Sequence, residues 1–172
     1  MTAIAAWYED NGTATGSPAK GATRAAASQV DWKSVDDIAT ARASATIIAG
    51  QNSYPKYQSV RFTGTFNEIS AGKFAHTAGA LGAGLTLVDK ITSTYATPST
   101  AALSGSTDIT STTAINSGQD VLFNTEPQTA SPSASLAASG YTQFIVTQLQ
   151  TLAAAAAGDV GDQTLTFQWN EN

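Results

Sequence analysis

Hydrophobic and polar positions alternate along much of the chain with a period of two. The clearest case is the last, TLTFQWN, where Leu165, Phe167 and Trp169 fall on one side and Thr166, Gln168 and Asn170 on the other. Successive side chains of an extended strand point to opposite faces, so this pattern predicts a strand with one buried face. YQSVRFTGTFNEI repeats it: Val60, Phe62 and Phe66 share a face, and Gly64 stands where a bulge or a close backbone approach would sit. LTLVDKITSTY sets Leu85, Leu87 and Ile91 in register, and VLF at 121–123 makes a shorter strand. YTQFIVTQLQTL is apolar on both faces, Tyr141, Ile145 and Leu149 against Phe144 and Val146, as expected of a central strand covered on two sides. SATIIAG, from Ser44, reads as another short buried strand.

Connections rich in Gly, Ser, Thr and Pro separate these segments, and no long Leu-rich run repeats at helical spacing. The fold class this predicts is all-β: a two-sheet antiparallel sandwich, jelly-roll or Ig-like, over residues 36–172 with an extended N-terminal arm before it. Two long Ser/Thr-rich loops interrupt the sandwich near 92–119 and 125–140, with Leu103, Ile109 and Ile115 placed to anchor the first. The Ala run at 153–157 is too short for an independent helix and reads as a small turn or a strand continuation. Ser34 and Asp37 fit a capping box for one short helix.

Residues 1–35 form the expected arm. NGTATGSPAKGATRAAASQ offers turn formers and Ala, and the large apolar groups around it are few: Ile4, Trp7, Tyr8, Val30 and Trp32. Burying one such side chain returns roughly 1.5–3 kcal/mol, whereas fixing one backbone residue costs about 1–2 kcal/mol. An arm of this kind needs a surface to lie on, either its own domain or a neighbouring chain. Trp7, Tyr8 and Trp32 are the candidate partner-binding residues, because aromatics on a thinly packed segment anchor interfaces when they find pockets. The competing expectation folds them back onto their own sandwich.

A chain of 172 residues closes a real core as one domain. Its charged share of 12% is about half the usual value, which suits a protein packed among neighbours. The formal charge of −5 is unevenly spread: all eight Lys and Arg lie at or before Lys90, and only acids follow. No basic patch for nucleic acid is expected, while complementary surfaces within an assembly are. With no cysteine, disulfides and thiolate metal sites are excluded. The start shows no signal-peptide pattern and no window approaches the roughly 18 apolar residues of a membrane span. The expectation is a chain made soluble in a cytoplasm, without a membrane partner.

Candidate chemistry is sparse. His76, the single histidine, lies in AGKFAHTAGALGAG, which reads as a flexible connection, and no G-x-S-x-G accompanies it. GALGAG precedes a strand, whereas a phosphate loop follows one and opens a helix. Gly72-Lys73 lacks the remaining Walker positions, which are Asn67 and Phe74 here. Asp159 and Asp162 in GDVGD suit a turn, with a calcium site as the alternative. Asn11-Gly12-Thr13 fits a glycosylation pattern that has no secretion signal to make use of it. No catalytic residue, metal or cofactor is expected, and the chain is not read as an enzyme.

Three stretches carry a resemblance. VDWKSVDD, IIAGQNSYPKYQSVRFTGTFNEISAGKFAHTAG and the closing YTQFIVTQLQT with AAGDVGDQTLTFQWNEN resemble small virion structural proteins of tailed bacteriophages, over most of residues 31–172. The resemblance implies a sandwich that works by multivalent contact: a capsid decoration or cement protein first, a neck or tail component second. It implies a virion location, with the major capsid or neck and tail subunits, and copies of the chain itself, as partners. It transfers no functional residue position by position. Two readings of other classes stand beside it, a carbohydrate-binding or adhesive sandwich and a small hydrolase dependent on His76.

Overall fold

The computed structural model describes residues 2–126, 131–156, 158 and 160–172. The described residues form two antiparallel sheets. The larger runs in the order β2 (Thr23–Ala26), β1 (Ala3–Asn11), β3 (Lys56–Gly64), β11 (Phe144–Thr151), β5 (Leu85–Thr92) and β6 (Thr107–Asp108), and β10 (Gly140–Thr142) links β3 to β8 (Phe123–Asn124). The smaller runs β12 (Thr164–Glu171), β4 (Ile69–Ala78), β7 (Gln119–Val121), with β9 (Ser135–Leu136) also on β4. The chain is all-β and the two sheets pack as a sandwich, as the alternation predicts.

The core between the sheets is built from the period-two positions. Val60 and Phe62 of β3 meet Phe66, Ile69, Phe123 and Leu136, and Phe167 and Trp169 of β12 close the cluster. Phe62 stands edge-on to Phe123 and Trp169 at 6.0 and 5.3 Å between centroids, the arrangement that aromatic quadrupoles favour. Phe74, Val121 and Ile145 continue the core towards β5. Gly64 ends β3 at φ +92°, and a Cβ there would lie 2.9 Å from the Thr2 carbonyl, so the close backbone approach expected at this glycine is present.

The larger sheet is covered on its other face as well. Tyr57, Phe144 and Val146 pack there with Tyr95 from the loop after β5, and the Tyr95 hydroxyl donates to the Gly12 carbonyl at 2.7 Å. β11 lies between β3 and β5 and is buried on both sides, which accounts for its two apolar faces. Buried Gln148 fastens the loop: its Oε1 accepts from the Leu103 N–H, and its Nε2 donates to the Ala101 and Ser53 carbonyls, all at 2.9 Å. Leu103 and Ile109 pack against separate clusters, one on each face.

Four expectations are corrected. Residues 3–11 are a strand inside the larger sheet, not part of an arm: β1 pairs with β3 from Ala3 opposite Gly64 to Asp10 opposite Tyr57. What holds it is a full main-chain ladder plus buried charge pairs at Glu9 and Asp10, neither of which is counted by apolar mass. SATIIAG is no strand. A 3-10 turn at Arg42–Ser44 leads into irregular chain, and Ile48 is 67% exposed. AGKFAHTA is not a loose connection but most of β4, the middle of the smaller sheet. Its small residues answer to crowding: a Cβ on Gly72 would collide with the Val121 carbonyl and sit 3.0 Å from the Phe123 ring. Asp37 caps no helix, since its carboxylate accepts from the Thr40 N–H at 2.7 Å and from the Thr40 hydroxyl at 2.6 Å, closing a turn.

Candidate functional site

The pleat of β1 separates neighbouring residues. Trp7 lies opposite Val60 and points into the sandwich, its ring 6.2 Å from and edge-on to Phe167. Tyr8 lies opposite Ser59 and points out of it. On that outer face Tyr8 meets Tyr141 edge-on at 6.4 Å. Tyr141, the cross-strand partner of Arg61, has the guanidinium carbons of Arg24 and Arg61 at 5.1 and 5.7 Å from its ring centroid, within cation–π range.

These four side chains are held in place by contacts within the chain. Arg24 forms a two-point pair with buried Asp10, Nε to Oδ1 at 2.6 Å and Nη2 to Oδ2 at 3.1 Å, and Glu126 lies 3.7 Å from its Nη1. Arg61, exposed, hydrogen-bonds Tyr8, which raises its pKa further. The outcome is a Tyr–Arg cluster on the outer face of the larger sheet.

Trp32 is elsewhere. Its Nε1 donates to Thr147 Oγ1 at 3.1 Å, and the indole forms part of the wall of an open cleft of about 1440 Å³. Gln58, Leu85 and Leu149 also line this cleft, as do segments from 27–32, 41–49 and 160–165. Trp7, half-buried beside the core, lines this same cleft, whereas Tyr8 stands on the outer face. The structure brings Trp7 and Trp32 to one cleft and leaves Tyr8 apart from them.

Sequence reasoning missed a buried charged network that ties the N-terminal segment down. Glu9 Oε1 accepts from Lys56 Nζ at 3.1 Å and from Asn11 Nδ2 at 2.9 Å. Lys33, fully buried, donates to the Thr40 carbonyl at 2.7 Å and lies 3.4 Å from Asp37. Asp36 accepts from the Gly12 N–H at 2.6 Å and from Asn11 at 3.1 Å. Hydrogen bonds from Thr40, then Lys33, hold the Asp37 carboxyl below its usual range. Glu9, Lys33, Asp37 and Lys56 line a cavity of about 190 Å³, and their contacts fasten the N-terminal segment to the sandwich.

His76 is fully buried on β4, with Nδ1 2.8 Å from the Ile109 carbonyl and Nε2 2.9 Å from the Ala78 carbonyl. Each ring nitrogen faces a backbone carbonyl, to one of which the neutral imidazole donates, and no serine hydroxyl is among its hydrogen-bond partners in the described residues. Asp89 on β5 is also fully buried: Oδ1 accepts from Gln119 Nε2, and Oδ2 has no partner among the described residues. Burial pushes its carboxyl up to about 6, against the opposing effect of the Gln119 bond. His76 thus meets the connection just after β6, at Ile109, and Asp89 meets the start of β7, at Gln119.

Among the described residues no group of three or more His, Cys, Asp and Glu is placed to hold a metal ion. The calcium alternative at GDVGD rests on Asp159, which lies outside the described residues. No helix of the described residues is long and apolar enough to cross a membrane. Fold and surfaces together define a two-sheet sandwich that presents a Tyr–Arg face and an end cleft. Set against known proteins, the chain matches no family model, no curated protein and no solved structure.

Proposed function

We propose that this chain is a structural component of a tailed-bacteriophage particle, a capsid decoration or cement protein ahead of a neck or tail component, that binds neighbouring subunits and performs no catalysis. The observation that carries the contact role is the Tyr8–Tyr141–Arg24–Arg61 cluster. Tyr and Arg dominate the energetics of protein interfaces, and side chains already fixed by Asp10 and by one another lose little freedom on docking. The particle setting is supported by the resemblance over residues 31–172 and by the low charge content. Binding to the assembled shell or tube would stabilise it by mass action, and many copies would multiply a modest contact.

The test is co-sedimentation of the full chain with assembled shells or tails. Tyr141→Ala, at a half-buried surface position, is expected to keep the fold and to weaken attachment by at least about tenfold, the loss of one hot-spot side chain. Attachment equal to wild type would remove the Tyr–Arg face from the reading. A second reading, a carbohydrate-binding sandwich, draws on the same two half-exposed tyrosine rings. Glycan-array binding by the isolated chain, lost in Tyr141→Ala, would favour it.

A further inference from the structure

β12 is a long open edge. It pairs with β4 over Thr164–Glu171 and with no second strand among the described residues. Half of the main-chain N–H and C=O groups of such a strand point away from its one partner. The other strands at the borders of the two sheets are short: four residues in β2, two in β6, three in β7 and two in β9, against eight in β12.

Natural edges are blunted by lysines, prolines or bulges that twist the strand away. β12 carries none of these. Residues 164–170 hold no charge and no proline, and every Lys and Arg lies at or before Lys90. Both register shifts against β4, between Thr164 and Leu165 and between Gln168 and Asn170, place the extra residue in β4. The first is Thr77, and the second falls at Ala71 and Gly72, where Ala71 has φ +53°. β12 itself runs uninterrupted. On the same side β1 extends past β2, which pairs with it only from Tyr8 onwards, and Ile4 there is 64% exposed. The Ala3 N–H donates to Glu171 Oε1 at 2.9 Å, so the two open edges lie together.

We propose that this side is a self-association surface on which β12 adds antiparallel to β12 of a second copy, joining the two smaller sheets across a two-fold axis. A strand that meets its own copy must avoid like charges and keep its faces in register. A two-fold centred on Phe167 or on Gln168 meets both conditions: Leu165, Phe167 and Trp169 stay on one face, and Glu171 falls opposite Gln163 or Leu165. An uncharged edge offers no means of selecting a foreign strand by charge, whereas isologous pairing needs none. The inference rests on edge geometry alone and holds whatever the fate of the virion reading.

Sedimentation velocity on the full chain, from about 1 to about 100 µM, measures the association directly. The expected result is a concentration-dependent dimer. Gln168→Lys with Asn170→Lys, both at exposed positions, sets like charges across the axis and is expected to weaken the dimer at least tenfold while circular dichroism is unchanged. Tyr141→Ala is expected to leave the dimer intact. Hydrogen exchange on the wild type supplies a readout independent of any variant, with slowed amides in residues 164–171 at the high concentration only. A monomer throughout the range, a double variant that dimerises as wild type does, or β12 exchange indifferent to concentration would each overturn the proposal. None of these results bears on whether the chain is present in virus particles.

Discussion

Lys56 Nζ lies 3.1 Å from Glu9 Oε1 with both side chains buried, and this pair joins β3 to the first strand of the chain. Removing one partner leaves the other charge buried and uncompensated. Lys56→Met is therefore expected to destabilise the fold by about 3–5 kcal/mol and to lower Tm by roughly 10 °C. Adding Glu9→Gln to the same chain should restore part of the loss. Urea unfolding checks both, and a single-variant cost under about 1 kcal/mol would mean the pair behaves as if exposed.

Asp89 makes stability depend on pH in the opposite sense to most carboxylates. Its folded carboxyl titrates at about 6, above its ordinary 3.8, so over that window the folded chain keeps a proton that the unfolded chain has released. Its contribution falls as pH rises through the window and stays lower above it. Asp37 and Asp108, both lowered chiefly by hydrogen bonds from Thr side chains, act the other way, adding stability that is lost as pH falls through their folded values. Asp89→Asn should therefore remove a fall on the order of 2–3 kcal/mol between about pH 4 and pH 7. The measurement is the difference between wild-type and variant unfolding curves at several pH values. Parallel pH profiles would contradict this account of Asp89.

Gly72 has no room for a side chain. Gly72→Ala drives a methyl group towards the Val121 carbonyl and the Phe123 ring, with an expected cost of about 2–4 kcal/mol. Gly161→Ala, with no described residue within 4 Å of its Cβ, is the control and should lie within about 0.5 kcal/mol of wild type. Thermal unfolding of the two variants side by side distinguishes crowding from a general loss of glycine.

How much the sequence discloses depends on where the holding interactions come from. β3, β5, β11 and β12 announce themselves because large apolar side chains at period two do the burying. β4 does not: Phe74 and Ile69 carry its apolar load, and Ala and Gly fill positions where another strand leaves no space. β1 hides for a different reason, since its polar end, Glu9, Asp10 and Asn11, looks like surface until Lys56 arrives from 47 residues away. The same distance effect limits the site. Tyr8 can be singled out as an aromatic, but Tyr141, Arg24 and Arg61 become its neighbours only through strand pairing. Trp7, adjacent in sequence, is sent to the opposite face by the pleat.

The central claim is that the chain works as a stoichiometric part of a larger particle. Quantitative mass spectrometry of virus particles made by the genome that encodes it tests this most directly. The chain is expected in the purified particle at a fixed ratio to the major shell protein, with a high copy number for decoration and about a dozen or fewer for a neck or tail part, as repeated contact requires. Purified particles that lack the chain would contradict the claim.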